Sequence, residues 1–321
     1  MTLRRLLLTT TLGIALFGCG ETLNAGSSQP HGPLPIDERN PLILVNDNVW
    51  ENWQGEYALL LSNAGGPKLA GIVVNTSYPW PDIEANVDGW RGLVAAARAS
   101  SLQAPDPITS VGEQLVKPDS GRIADTVPNR SEGALFIVNE SLRLSLPYRP
   151  VVVATGTRLT DVADAYLIDP TVADRIVVAS SLGKVSDTGA AMANPNGEMD
   201  SWADVIVTSR LRYVQVSAFY DQLTDVPASR VAELPSHTFG AWIGHKSSGV
   251  WELSEASDQV VVAAIGIPDF AATVHKASPS SNATEHQGPD LLDDPDGPIW
   301  LVREVDGALA TAAFWQLLRQ Q

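Results

Sequence analysis

Pro150-Val151-Val152-Val153-Ala154-Thr155-Gly156-Thr157-Arg158-Leu159-Thr160-Asp161, continuing to Asp169-Pro170 and Arg175-Ile176-Val177-Val178, decides the fold of this 321-residue chain. Neither valine run alternates with polar residues, so both of its faces are buried, as in parallel strands covered by helices. Between them a glycine turn opens a helical pattern from Leu159 to Ile168. A strand, a crossover helix and a second strand of the same kind predict an α/β fold with a mainly parallel sheet flanked by helices.

The same alternation extends in both directions. Leu42 to Val45, Leu69 to Val74, Arg175 to Ala179, Tyr213 to Ser217 and Ile299 to Val302 read as further strands. Helical patterns cover Glu56 to Ser62, Ile83 to Ser100 and Ala308 to Leu318, and Ser131 is placed to cap another that carries Leu135, Ile137, Val138 and Leu142. No internal repeat interrupts this order. Ser278 to Gly297 is polar, acidic and rich in proline and glycine, and it reads as a long surface loop that could also border a binding site.

The amino terminus belongs to a different class of segment. Arg4 and Arg5 precede the apolar stretch Leu6 to Phe17 and the small residue Gly18, the three parts of an export signal. Twelve apolar residues are too few for a bilayer, which needs about 20 in a helix. Leu16-Phe17-Gly18-Cys19 resembles the lipobox of bacterial lipoproteins, with Phe17 larger than the residue usual there. Cys19 is the chain's single cysteine, so it has no intramolecular disulfide partner. The expected organisation is a signal peptide over 1–18, a lipidated Cys19 opening a flexible tether over 19–40, and one domain over 41–321. Gly20 after the cysteine, with no aspartate there, predicts an outer-membrane position at the envelope of a cell that has one.

Charge narrows the partners. The formal net charge is −16, and removing Arg4 and Arg5 with the leader takes it to −18. Such a chain repels polyphosphate and anionic lipid at long range, which argues against nucleic acid as a partner. The composition leaves a homo-oligomer open.

Ligands of open α/β sheets sit beyond the carboxyl ends of the strands. After the first strand comes Asn46-Asp47-Asn48-Val49-Trp50-Glu51-Asn52-Trp53-Gln54-Gly55-Glu56-Tyr57-Ala58-Leu59. Polar side chains at 46, 48, 52 and 54 are spaced to converge on one point, as a metal or sugar site requires, and equally to cap the next helix. Glu198-Met199-Asp200-Ser201-Trp202-Ala203-Asp204 and Ser257-Asp258 are the other acidic clusters that adjoin apolar elements. Trp50, Trp53, Trp80 and Trp90 cluster near this region, where either base stacking or core packing accounts for them. The histidines lack metal-ligand spacing, and only His245, shortly before Asp258, is placed to offer an acid.

Together these blocks resemble the inosine/uridine-preferring nucleoside hydrolases, from about Pro41 to about Ala272. The resemblance implies a Rossmann-like nucleoside hydrolase fold. It lays Asn46 and Asn48 over the first two aspartates of the family's opening cluster, Asn52 over the middle acidic position, and Gln54 and Gly55 over its final aspartate pair. It makes the Thr155 carbonyl, Asp258 and the position of Asn48 calcium ligands, and Glu198 and Asp200 ribose-binding residues. Thr157-Arg158 stands where the family has one proline, and Ser257 where it has a histidine.

The departures bear directly on chemistry. N-glycosidic hydrolysis needs an activated water and a carboxylate base, and an amide cannot take the proton. Calcium affinity follows the number of charged ligands, and of the usual carboxylates only Asp258 remains. Three readings stay open. The chain is a ribonucleoside hydrolase with the catalytic work at Asn46, Asn48 and Glu51, or taken over by Asp47, Glu51 or Glu56 after a register shift. Alternatively it binds a nucleoside, ribosyl or other polyol ligand without catalysis through Asn46, Asn48, Asn52, Gln54, Glu198 and Asp200, since amides both donate to and accept from sugar hydroxyls. Or the scaffold serves interaction at the envelope.

Overall fold

A computed structural model describes residue 30 and residues 32–50, 52–181, 200–216, 228–249, 258–284 and 288–321. The expected leader, Cys19, Glu51, Glu198 and Ser257 therefore lie outside the described residues. Among the described residues no helix is long and apolar enough to cross a membrane.

The described residues form one nine-stranded sheet. In chain order its strands are β1 (Leu42–Asn46), β2 (Leu69–Val74), β3 (Pro107–Thr109), β4 (Val151–Thr155), β5 (Ile176–Ser181), β6 (Arg212–Val216), β7 (Ala271–Pro279), β8 (Leu291–Asp293) and β9 (Ile299–Val305). Spatially they run β3-β2-β1-β4-β5-β6-β9-β7-β8. Every neighbouring pair from β3 to β9 is parallel, and β7 joins antiparallel to β9 and to β8. The expected mainly parallel α/β sheet is present.

The chain moves outward from β1 to β3, then returns to the other side of β1 with β4. The order of strands thus reverses between β1 and β4, which opens a crevice at their carboxyl ends.

Burial on both faces explains the unalternating sequences. Leu42 and Leu44 of β1 point into one apolar cluster, Ile43 and Val45 into a second on the opposite face. The first cluster is covered by helices α1 (Gln54–Asn63), α2 (Ile83–Ala99), α6 (Thr238–Gly249), α7 (Gln259–Gly266) and α8 (Gly307–Arg319), which contribute Tyr57, Trp90, Phe239, Val261 and Phe314. The second is covered by α3 (Glu132–Leu144), α4 (Thr160–Ile168) and α5 (Ser201–Arg210), with Ile137, Val162 and Ile206. Ser131 caps α3 as its position predicts, accepting from the Ala134 N–H.

Two sequence expectations change. Ser278 to Gly297 is not one loop: it begins in β7 and includes β8, and the Ala271–Pro279 strand had no apolar alternation to announce it. Packing also starts upstream of Pro41, because Leu34 and Ile36 are 4% and 2% exposed within the first cluster.

Candidate functional site

At the reversal point the carboxyl end of β1 delivers Asn46 and the turn after β4 delivers Gly156. The start of α7 brings Asp258 between them. The Asp258 carboxylate accepts hydrogen bonds from Ser181 Oγ at 2.6 Å, Asn52 Nδ2 at 2.7 Å and Asn46 Nδ2 at 3.1 Å. It lies against the backbone of Gly156, where an added Cβ would stand 2.2 Å from its Cγ. Gly156 is therefore required by this close approach.

The amides are locked from both ends. Asn46 Nδ2 also donates to Gln54 Oε1 at 2.7 Å, and its Oδ1 accepts from the Asp47 N–H at 2.7 Å. Asn52 Oδ1 accepts from the Gln54 N–H at 2.9 Å, and Asn48 Oδ1 from the Trp50 N–H at 2.8 Å. The Asn48 amide group reaches Asn86 Oδ1 at 3.4 Å.

This donor set does not fit a calcium ion, which takes six to eight oxygens at about 2.3–2.6 Å. The side-chain oxygens of Asn46, Asn48 and Asn52 already serve backbone N–H groups. An aspartate at 46 or 52 would offer a second oxygen to the centre; the asparagine offers an N–H, and that N–H binds Asp258. Among the described residues no cluster of three or more His, Cys, Asp or Glu side chains is arranged to hold a metal. Thr155 is buried at the end of β4, and its Oγ1 has no hydrogen-bond partner.

A buried ion pair braces the same loop. Lys246 of α6 lies 3.0 Å from Glu56 Oε1, with both side chains almost wholly buried. Its ammonium also donates to the carbonyl oxygens of Val49, at 2.5 Å, and Asn52. Trp242 Nε1 joins the same Glu56 oxygen at 3.0 Å. The tryptophans here pack: Trp90 is fully buried, Trp53 nearly so, and Trp50 stacks on Trp242 at 4.5 Å. His245 meets Trp50 edge-on at 5.8 Å.

Beyond this knot lies a cleft of about 1420 Å³ at the carboxyl ends of β2, β3 and β4. Its walls include Ser77, Tyr78, Lys117, Arg158, Asp200 and Trp202. Asp200 caps α5 through the Ala203 N–H at 3.0 Å, and accepts from the Leu115 N–H at 3.0 Å and Thr160 Oγ1 at 2.7 Å. Burial raises its carboxyl above the ordinary range against those bonds. Arg158 Nη2 donates to the Gly112 carbonyl and to Thr76 Oγ1, while its Nε–H is buried with no acceptor.

Asp47 links knot and cleft. Its carboxylate accepts from the Asn48 N–H at 2.6 Å and from Thr157 Oγ1 at 3.4 Å, and bonds with Ser77. Burial pushes its pKa up.

Sequence reasoning placed Asn46, Asn52, Gln54 and Asp258 together, and the structure does bring them together, as a closed knot. Asp200 stands apart on the cleft wall. Ser181, Gly156 and Lys246 were missed. Ser181 ends β5 at the very position where ligands of such sheets gather, a signal that was available; Lys246, 190 positions from Glu56, gave none.

The mainly parallel sheet, with this strand order and a polar site at the β1/β4 reversal, has a nucleoside hydrolase-like fold. Solved structures agree. The inosine-uridine preferring nucleoside hydrolase from Bacillus anthracis superposes with a TM-score of 0.64 at 13% identity, over 88% of this chain and 100% of that one. The purine-preferring ribonucleoside hydrolase from Gardnerella vaginalis gives 0.59 at 16%, over 87% and 98%. The type III effector protein XopQ, complexed with adenosine diphosphate ribose, gives 0.55 at 13%, over 91% and 96%. No known family's sequence profile matches the chain, and no curated relative does either. At these identities the likeness establishes the fold.

Proposed function

We propose that this chain is an envelope protein, tethered through Cys19, that binds a small ribosyl ligand in its nucleoside hydrolase-like cleft without hydrolysing it and without calcium. The observation that carries this reading is the Asp258 carboxylate held by three chain donors, Ser181, Asn46 and Asn52. A carboxylate so engaged has little capacity left for a cation or for a proton from water. The cleft supplies the binding surface, and Arg158 and Lys117 on its wall favour a ribosyl compound that carries negative charge.

One observation favours the hydrolytic alternative. Asp47 is a buried carboxyl with a raised pKa beside the cleft residue Ser77, the environment of a general base. Calorimetric titration of the mature chain with calcium and then with ribonucleosides, coupled to an assay for free base, separates the two. Saturable ligand binding that chelators leave unchanged, with no base released, is expected. Tight calcium binding or chelator-sensitive base release overturns the proposal, and base release that survives chelation moves the catalytic role to Asp47.

A further inference from the structure

The end of the sheet opposite the cleft carries a second surface. A groove of about 1020 Å³ runs past the amino ends of β5 and β6 and is lined by Arg175, Arg210 and Arg212 together with Leu142, Leu146 and Trp300. Three arginines in one groove stand out on a chain with 21 basic against 37 acidic residues. The nearby acids do not saturate them. Asp169 meets Arg175 at 3.5 Å, and Arg175 also donates to Thr171 Oγ1. Asp174, on the groove wall, acts on Arg212 through its charge, and its carbonyl accepts from Arg212 Nη2 at 3.0 Å. Arg212 Nε–H is buried with no acceptor, and Arg210 is exposed with no hydrogen bond or ion pair among the described residues. Lys276 adds a further cation 3.4 Å from the Trp300 ring centre. Exposed apolar side chains stand beside the groove: Leu142 (52%), Leu146 (43%) and Tyr148 (57%).

The start of the folded chain lies at this same end. Leu146 and Arg149 close a tight turn through two reciprocal backbone hydrogen bonds of 2.9 Å. Leu146 and Pro147 of that turn line the groove, while Tyr148 and Arg149 line a recess with Pro30 and Pro35. From Cys19 to Pro30 the chain spans at most ~40 Å when fully extended.

We propose that this end of the domain docks on the membrane and takes anionic phospholipid headgroups. Arg175, Arg210 and Arg212 meet the phosphates, and Leu142, Leu146 and Tyr148 enter the interfacial layer. Because the parallel strands run from this end to the other, the ligand cleft opens away from the bilayer. The inference rests on the reading of Cys19 as the anchor, and is independent of what the cleft binds.

The test uses the full lipidated chain, its modification confirmed by mass, in phosphatidylcholine vesicles with and without phosphatidylglycerol. Cys19 is the chain's only cysteine, so once it is acylated Leu146→Cys, Leu142→Cys and Val116→Cys each accept a single fluorophore. Val116 is on the cleft wall and 79% exposed. Spin-labelled lipid should quench the probes at 146 and 142 several-fold more than the probe at 116. Phosphatidylglycerol should increase that quenching, and Arg210→Glu should cut the increase by about fivefold or more, as expected for a surface cation replaced by an anion. Equal quenching at all three positions, or quenching at 146 and 142 indifferent to both phosphatidylglycerol and Arg210→Glu, overturns the inference. A chain that carries no lipid at Cys19 also overturns it, and ribosyl binding by the cleft then stands or falls separately.

Discussion

Asn52 Nδ2 donates to Asp258 Oδ2 at 2.7 Å across 206 positions of sequence, and so ties the loop after β1 to the start of α7. Removing the acceptor strands the Asn52 amide and the Ser181 hydroxyl in a buried centre, while Asn46 keeps its bond to Gln54. Asp258→Ala is expected to lower unfolding free energy by about 2–4 kcal/mol, since each buried donor left unsatisfied costs ~1–3 kcal/mol. Denaturant titration reads the loss directly.

Replacing both amides by acids should convert the knot into a cation site. In Asn46→Asp/Asn52→Asp three carboxylates face one another, and the melting temperature should fall by several degrees in chelator and recover with millimolar calcium. The parent chain should melt at the same temperature in both buffers. Gly55, which the family resemblance lays over another aspartate, must stay: a Cβ there would lie 2.6 Å from Leu93 and 2.7 Å from Trp90.

Lys246 and Glu56 form a buried pair whose partners depend on each other. Lys246→Met takes away the ion-pair partner of the buried Glu56 carboxylate and should cost about 3–5 kcal/mol. Lys246→Met/Glu56→Gln should recover a large part of that loss. Comparing the two by thermal denaturation checks the coupling.

Asp204 of α5 gives a pH signature. Burial, and then the neighbouring Asp200, raises its carboxyl from the ordinary value of 3.8 to about 8. The folded chain therefore holds this proton more tightly than the unfolded one. Its stabilising contribution is complete below about pH 4 and is lost as pH rises to about 8, at up to about 1.4 kcal/mol per pH unit. Asp204→Asn should flatten the stability profile over that window and leave stability near pH 4 little changed.

The cleft's charge predicts its selectivity. Arg158→Met should weaken adenosine 5′-phosphate about tenfold, the scale of one charge-assisted hydrogen bond, and leave adenosine nearly unchanged. Equal loss for both ligands in parallel calorimetric titrations would show that Arg158 only braces Gly112 and Thr76.

The sheet's centre was legible because its physics is local: a strand buried on both faces must be apolar throughout, as Val151 to Val153 and Ile176 to Val178 are. β7 was not, since it sits near the sheet's edge, half exposed, with Thr273, His275 and Lys276 in its run. The site was legible in part for a related reason. Asn46, Asn52 and Gln54 follow one strand, so position alone singled them out. Their shared acceptor could be proposed only by likeness to a family, and the side on which each amide presents its N–H is a property of the folded centre. Lys246 comes from a helix whose sequence carries no mark of the loop it braces.

Gly156 lets the Asp258 carboxylate rest where a side chain would otherwise stand, with donors supplied by Asn46, Asn52 and Ser181. A bound ion stabilises a fold by mass action, so its benefit rises and falls with its supply. Donors built into the polypeptide are present at fixed stoichiometry from the moment the chain folds. On the proposed calcium-free reading, the centre is thereby indifferent to the supply of ions around it.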